Sequence, residues 1–175
     1  MNEIIKAIKE RRSYRKYDST EVDQKDIDII IESGLYAPSA HGEQRSIILQ
    51  INNKDIREKI KNANRKIGGF NESIDPFYGA PVLLIVLADK SWDNGAFDGS
   101  LVMQNMMLAA HSLGLGSCWI NRAKEEFEMD EFKKMLKDYN IEGEYIGVGH
   151  LIVGHIIEKN NNIPQRKENR VFKID

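Results

Sequence analysis

The sequence predicts an α+β fold in which helices surround a sheet. Several segments place apolar residues at helical spacing, as Ile27, Ile30 and Ile31 do within one of them. By contrast, residues 82–87 are apolar throughout, which is typical of a short strand buried on both faces. A third pattern is the long apolar helix expected at residues 100–113. Together these patterns favour one sheet with helices packed around it.

Three helices and one strand are expected before the buried strand. The helices cover residues 2–10, 23–35 and 55–67, and the strand covers residues 47–51. Asp23 is a suitable N-cap for the second helix. Pro38 disfavours helical geometry in the residue before it, so this helix should end within residues 34–37.

The expected helix at residues 100–113 is apolar around nearly its whole circumference. Such a helix must be buried on every side, and a small domain has little room to enclose one, so a subunit interface is the better explanation. A strand at 117–120, a helix at 126–139 and a strand at 145–157 should follow. The tail, residues 160–175, carries Val171, Phe172 and Ile174, which we expect to pack across a neighbouring subunit.

Composition is that of a soluble globular protein, with 175 residues, 41% of them apolar and 30% charged. Residues 1–175 fit a single domain. The longest apolar stretch, residues 81–88, is too short to span a bilayer, and residues 1–10 do not form a secretory signal. Cys118 is the only cysteine, which excludes an internal disulfide and a multi-cysteine metal site. We therefore expect a cytoplasmic protein without membrane association.

Positive charge is concentrated near the two ends of the chain. Residues 9–16 and residues 159–173 each carry five cations and one anion, which leaves about −10 for the rest of a chain whose net charge is −2. This distribution favours a local anionic ligand over a broad nucleic-acid surface. The tails also lack interleaved stacking aromatics beyond Tyr14, Tyr17 and Phe172, which argues against nucleic-acid binding.

The first basic segment, residues 11–17, reads Arg-Arg-Ser-Tyr-Arg-Lys-Tyr. Guanidinium groups bind phosphate through paired, charge-assisted hydrogen bonds, and a serine hydroxyl adds another donor. The cluster by itself is nonspecific, and such clusters are more often solvated loops than phosphate sites. Gly114 and Gly116 do not form a dinucleotide fingerprint, because they follow a helix and precede a strand.

No residue set predicts hydrolysis or metal chemistry. The four histidines are scattered, without carboxylate or cysteine companions at ligand spacing: His41, His111, His150 and His155. Ser39 has no adjacent base, and Cys118 in an apolar strand is expected to be an inert buried thiol. This lack of catalytic side chains favours a cofactor that carries the reaction.

Five segments, taken in order and spacing, resemble the nitroreductase family over nearly the whole chain. They are Arg11-Arg12-Ser13-Tyr14-Arg15; Ala37-Pro38-Ser39-Ala40 with Gln44; residues 79–86; Asp98 with Gln104-Asn105, residues 108–110 and residues 113–120; and Pro164-Gln165-Arg166-Lys167. The resemblance implies a nitroreductase-like mixed sheet flanked by helices, with a long central helix at a homodimer interface. It also implies two FMN sites at that interface.

The resemblance assigns a role to each matching position. Arg11, Ser13, Arg166 and Lys167 should hold the phosphate and ribityl chain, with Arg12 giving mostly backbone or ribityl contact. Arg15 should face the pyrimidine edge of the ring. Pro38, Ser39 and Gln44 should come from the partner subunit. The backbone of Trp119, Ile120 and Asn121 should lie beside the ring and offer an amide to N5, with Asn71 a further candidate for ring contact.

The implied activity is hydride transfer by a ping-pong mechanism, from NAD(P)H through FMN to a nitroaromatic, a quinone or a related small acceptor. Two alternatives stay open: a flavin-binding sensor or storage protein without turnover, and a fragmenting or dehalogenating enzyme of the same fold. The family pattern is broken where Gly42 replaces an Asn and where Arg45 and Ser46 follow Gln44. These departures change the side chains that the loop can offer to a substrate or to the cofactor.

Overall fold

The computed structural model describes residues 2–158 and 162–174. Within these residues the strands are β1 (Ser46–Gln50), β2 (Val82–Asp89), β3 (Gly116–Ile120) and β4 (Tyr145–Gly154). The helices are α1 (Glu3–Glu10), α2 (Gln24–Leu35), α3 (Lys54–Ile67), α4 (Gly95–Ser112), α5 (Ala123–Phe127) and α6 (Asp130–Asp138). The strands form one sheet in the order β1-β2-β4-β3, and each neighbouring pair runs antiparallel. The expected α+β class is confirmed.

Strand β2 is buried on both faces, as its apolar run predicted. Leu83, Ile85 and Leu87 point into one core, and the alternate residues of the strand point into the other. The first core is shared with α3, α5 and α6, and includes Ile60 and Phe127. The second core is shared with α2 and α4, through residues such as Ile30, Met103 and Met106. The sheet is therefore enclosed between two layers of helices.

Helix α4 is longer than expected and less enclosed. It begins at Gly95, five residues before the predicted start, and ends at Ser112. One side packs into the core through Val102, Met103 and Met106. On the opposite side, Phe97 and Leu101 are 71% and 43% exposed. The chain by itself leaves part of this apolar helix uncovered.

The helix expected at residues 126–139 is divided in two. Met129, with φ −76° and ψ 140°, is extended and separates α5 from α6. The last strand is also shorter than expected and ends at Gly154. Beyond it, Ile156 forms an isolated bridge with Tyr17, and the carbonyl of His155 accepts a hydrogen bond from the backbone of Asp18 at 3.1 Å. Apolar spacing continues through both irregularities, so periodicity could not reveal them. No helix among the described residues has the length and apolar character needed to cross a membrane.

Gly147 allows α5 to lie directly on β4. A Cβ atom built on Gly147 would be 2.1 Å from the carbonyl carbon and oxygen of Ala123, at the first residue of α5. The obstacle is backbone, which cannot move aside as a flexible side chain could. This close approach places Glu126, on the buried side of α5, beneath the sheet.

We expect Gly147→Ala to lower the free energy of unfolding by about 2–3 kcal/mol, because the added methyl group forces α5 away from β4. Urea unfolding monitored by circular dichroism measures the change. Gly34→Ala is a control in which the added methyl group meets side-chain atoms of Met106 and Ile48 rather than backbone. An unfolding midpoint for Gly147→Ala equal to that of the unaltered protein would contradict the packing described.

Candidate functional site

The basic segment that follows α1 is attached to the edge of the sheet. Ser13 forms a parallel bridge with Ser117 of β3, and the backbone of Tyr14 donates to the carbonyl of Ser117 at 3.0 Å. The hydroxyl of Tyr17 donates to the carbonyl of Tyr14 at 2.7 Å. The segment is therefore ordered against β3 and is not a solvated loop.

Two guanidinium groups in this segment keep nitrogen atoms that are buried and unpaired. Nη1 of Arg11 and Nη2 of Arg12 have no hydrogen-bond partner among the described residues. Burial lowers the pKa of Arg11, and the neighbouring charge of Arg12 lowers it further. Arginine nevertheless stays protonated near neutral pH. The pair is therefore a half-buried positive charge with two buried donors available to an anion.

Arg12 also has a structural role. Its Nη1 donates to the carbonyls of Lys9 and Arg11, at 2.8 and 2.6 Å, and so satisfies the end of α1. Its Nε donates to the carbonyl of Asn162 at 3.3 Å. Arg12 thus joins the end of α1 to the start of the C-terminal tail, which leaves Arg11 as the freer of the two cations.

Cys118 of β3 lies beside the basic segment, and side chains of that segment affect the pKa of its thiol. Burial raises the pKa of the Cys118 thiol, and the charges of Arg15 and Arg11 oppose that rise. A hydrogen bond with Ser13 acts in the same direction as these charges. The Cys118 thiol on β3 is therefore influenced by Arg11, Ser13 and Arg15, which are alternate residues of one extended segment. Cys118 is 1% exposed, in keeping with a structural cysteine.

Strand β3 leads from this basic cluster to Trp119, Ile120 and Asn121. Ser117 turns its carbonyl toward the basic segment, so the backbone of Trp119, two residues on, points to the same open edge. The carbonyl of Asn121 accepts from Nδ2 of Asn64 at 2.9 Å. Arg122 follows with φ 81°, a left-handed conformation that is uncommon for a residue other than glycine.

Asn71 lies in the loop that approaches this turn. Phe70, the residue before it, stacks against the guanidinium of Arg122 with 4.9 Å between the charge and the ring centre. The side-chain oxygen of Asn71 is engaged within its own turn, where it accepts from the backbone and hydroxyl of Ser73. Its amide nitrogen is the group left to contact a ligand.

Three buried polar residues beneath the turn were not predicted from the sequence. They are Asn64, Glu126 and His150, each 0% exposed. Asn64 donates to Glu126, and Glu126 is paired with His150. The burial of Asn64 could have been predicted, because Asn64 lies one helical turn after Ile60 on the apolar face of α3. The other two are brought together only by the approach of α5 to β4.

A loop beside the first turns of α4 contains Pro38, Ser39 and Gln44. The backbone of Gln44 donates to the hydroxyl of Ser39 at 3.0 Å. Asp98, near the start of α4, accepts from the backbone of Ala40 and from the indole of Trp92, both at 3.0 Å. These bonds fasten the loop to the first turns of α4.

The basic cluster, in contrast, lies near the last turns of α4. Burial lowers the pKa of His111, and the charges of Arg11 and Arg12 act on it in the same direction. Asp98 and His111 are separated along the helix by about 20 Å, at 1.5 Å per residue. One chain therefore does not bring the loop of Ser39 to the cluster of Arg11.

Arg166 and Lys167 are exposed in the C-terminal tail. Arg166 donates through Nε and Nη2 to the carbonyl of Pro164, at 3.1 and 2.7 Å. The tail reaches the basic cluster earlier, where Asn162 accepts from Arg12. Among the described residues, Arg166 makes this local contact and forms no hydrogen bond with Arg11 or Ser13.

The site therefore combines a cationic cluster with a strand at the edge of the sheet. It offers charged donors for a phosphate and backbone groups for a planar polar ring. Among residues 2–158 and 162–174, no group of three or more histidine, cysteine or acidic side chains is placed to hold a metal ion.

The model of the nitroreductase family matches residues 8–68 and 71–155. This chain belongs to the nitroreductase family. The match includes the basic segment, the loop of Ser39 and strands β1 to β4, so the expected family is confirmed.

Individual relatives are similar over different lengths. A protein of Methanothermobacter thermautotrophicus is 36% identical over 121 residues, 67% of this chain. Its name gives NADH dehydrogenase and NAD(P)H nitroreductase as a provisional assignment. The match spans 60% of that relative's length. An FMN reductase [NAD(P)H] of Bacillus subtilis is 27% identical, with 98% of this chain and 73% of that protein covered.

Among solved structures, a nitroreductase of Bacteroides fragilis with bound FMN superposes with a TM-score of 0.87. It is 27% identical to this chain, and 100% of each chain is covered. The expected fold is confirmed.

Proposed function

We propose that this protein is an FMN-dependent oxidoreductase that transfers a hydride from NAD(P)H, through the flavin, to a small acceptor such as a nitroaromatic or a quinone. The observation that carries the proposal is the pair of buried, unpaired guanidinium nitrogens of Arg11 and Arg12, at the edge of β3. The relatives support it, since they include an FMN reductase [NAD(P)H] and a nitroreductase with bound FMN.

The phosphate of FMN fits the cationic end of the site. Nη1 of Arg11 lacks a partner among the described residues, and Ser13, two residues farther along the same segment, carries a hydroxyl next to Cys118. A phosphate ester close to doubly charged would offset the repulsion between Arg11 and Arg12. We assign Arg11 and Ser13 to the phosphate, and Arg12 to the adjacent backbone and ribityl chain.

The ring of FMN fits the open edge farther along β3. The backbone of Trp119, Ile120 and Asn121 would line the ring and offer an amide to N5. Arg15, exposed on the same extended segment as Arg11, would face the pyrimidine edge. Asn71 would approach from the loop of Phe70, which is held to the turn by Arg122.

The rest of the site would come from a second copy of the chain. The loop with Pro38, Ser39 and Gln44 is about 20 Å from the basic cluster along α4, so it can serve the cluster only of another subunit. Apolar side chains exposed on α1 and α4 support a homodimer: Ile4, Ile5, Ile8, Phe97 and Leu101. A two-fold dimer would contain two such sites.

The C-terminal tail would form an arm on the partner subunit. Val171, Phe172 and Ile174 are 85%, 78% and 95% exposed on the isolated chain. Three apolar side chains in one short segment are better explained by burial against a partner than by exposure to water. An arm in this position would also bring Arg166 and Lys167 toward a phosphate.

The chemistry needs few side chains. A bound FMN would supply the redox chemistry, as the group that accepts and then gives up a hydride. The chain would orient the ring through the backbone of β3, and Arg15 would place positive charge where negative charge develops. NAD(P)H and the acceptor would use the same open face in turn, as in a ping-pong mechanism.

The test begins with the purified protein and added FMN. We expect a yellow complex and quenched flavin fluorescence, followed by NADH or NADPH oxidation that depends on a nitroaromatic or a quinone. Binding without turnover would favour a flavin sensor or storage protein. Release of halide or cleavage products from suitable substrates would favour the fragmenting alternative. A protein that remains colourless with excess FMN would refute the proposal.

We expect Arg11→Ala to weaken FMN binding by about ten- to a hundredfold, since a hydrogen bond to a charged group contributes about 1.5–3 kcal/mol. Fluorescence titration measures the dissociation constant. Lys16→Ala is the control, because it removes the same charge from an exposed position of the same segment. Equal losses in the two variants would indicate long-range attraction instead of a phosphate contact.

We expect Leu101→Glu to shift the protein toward a monomer and to reduce FMN binding together with dimerisation, because a carboxylate would be buried in the proposed interface. Sedimentation velocity and FMN titration measure the two effects. Lys137→Glu adds the same side chain at an exposed position of α6 and should change neither. A monomeric Leu101→Glu variant with unchanged FMN affinity would show that one chain forms the whole site.

A further inference from the structure

A fully buried polar network lies directly beneath the turn formed by residues 120–122. Its members are Asn64 of α3, Glu126 of α5 and His150 of β4, and none is exposed. The network joins three separate elements at one point. Each of its outer hydrogen bonds ends on the backbone or side chain of the turn.

His150 holds one peptide group of the turn. Its Nδ1 is 3.2 Å from the carbonyl oxygen of Ile120, and its Nε2 is 2.7 Å from Oε2 of Glu126. A carbonyl oxygen can only accept, so Nδ1 must carry a proton and donate to Ile120. Glu126 fixes the orientation of the ring from its other nitrogen.

Holding the carbonyl of Ile120 also determines where the next amide points. In a planar trans peptide, the N–H of Asn121 is directed opposite to the C=O of Ile120. His150 lies on the β4 side of this peptide, so the Asn121 amide is directed toward the open edge. A hydrogen bond to the carbonyl also polarises the peptide group and makes its N–H a better donor.

Asn64 holds the following peptide. Its Nδ2 donates to the carbonyl of Asn121 at 2.9 Å and to Oε1 of Glu126 at 2.6 Å. Its Oδ1 accepts from Nε of Arg122 at 3.0 Å. Arg122 has φ 81°, a strained conformation that persists only where its surroundings restrain it.

We infer that Asn64, Glu126 and His150 are positioning residues that aim the Asn121 amide at the flavin ring. The inference rests on the proposed function, because it gives the amide a ligand. None of the three touches the ring in this scheme. They act through the peptide groups of Ile120 and Asn121.

Core stability alone does not account for this network. Burying an ionisable pair such as Glu126 and His150 has a desolvation cost, and apolar replacements of similar volume are often as stable or more so. The network is surrounded by apolar side chains, with Phe77 packed against the ring of His150 at 5.4 Å between ring centres. Apolar residues could not form the hydrogen bonds that fix the direction of the Ile120 and Asn121 carbonyls.

The experiment compares Glu126→Ala with Glu126→Gln. Glutamine can still accept from Asn64 and can donate to Nε2 of a neutral His150, so it preserves the orientation of the ring. Two readouts are needed: the FMN dissociation constant, and amide hydrogen exchange of residues 120–122 in the flavin-free protein. Ile30→Val, in the other core, is the control for general destabilisation.

We expect Glu126→Ala to weaken FMN binding about tenfold, the effect of roughly one lost hydrogen bond, and to speed exchange selectively at residues 120–122. Glu126→Gln should stay close to the unaltered protein in both readouts. The inference is overturned if Glu126→Ala behaves like Ile30→Val, or if Glu126→Gln is impaired as much as Glu126→Ala. An unaltered protein that does not bind FMN would instead refute the proposed function.

A second pair of variants keeps the test valid if Glu126→Ala does not fold. Asn64→Ala removes the bonds to Asn121 and Arg122, and Asn62→Ala makes the same replacement at an exposed position of α3. We expect only Asn64→Ala to speed exchange at residues 121–122 and to weaken FMN binding about tenfold. Equal behaviour of the two variants would reject the positioning role.

Discussion

The burial of β2 on both faces is the constraint that decides where a site can form in this protein. Removing both rows of its side chains from water requires helices on each side of the sheet. The faces are then occupied by packing, and only the edges remain open to a ligand. Strand β3 is one of those edges. The basic segment after α1 joins this edge through Ser13, so charge and open backbone occur side by side.

The positive charge beside β3 is the reason for proposing a phosphate-containing ligand at this edge. Two neighbouring guanidinium groups with buried, unpaired nitrogens carry a desolvation cost that the protein alone does not offset. A phosphate would supply acceptors and opposite charge together. The flavin ring needs correctly oriented hydrogen-bond donors more than it needs positive charge. The polar network beneath residues 120–122 can orient the Asn121 amide for this purpose. Arg11 and His150 would thus act on opposite ends of the same cofactor.

The length of α4 explains why a second subunit is needed in this proposal. Its first turns hold the loop of Ser39 through Asp98, and its last turns lie beside Arg11 and Arg12. A rigid helix keeps these two groups about 20 Å apart. Two-fold symmetry would place the first turns of one subunit near the last turns of the other. The apolar side chains exposed on α4 would be covered by the same association.

Much of the architecture was predictable from local patterns. The two-faced burial of β2 followed from its apolar run, and the start of α2 followed from Asp23, whose side chain accepts from the backbone of Lys25 at 3.0 Å. Periodicity failed at Met129, because apolar spacing continues across the break between α5 and α6. Motif spacing indicated the family and the basic segment. It could not show which nitrogens of Arg11 and Arg12 would be left unpaired.

The sequence by itself determined the class of fold, the family and the residue types offered to an anion, because these depend on composition and on spacing along the chain. Only the tertiary structure brought Asn64, Glu126 and His150 together, since they come from two helices and a strand that are distant in sequence. The tertiary structure also separated Ser39 from Arg11 along α4. Both results depend on distances between packed elements, which no local pattern of residues contains.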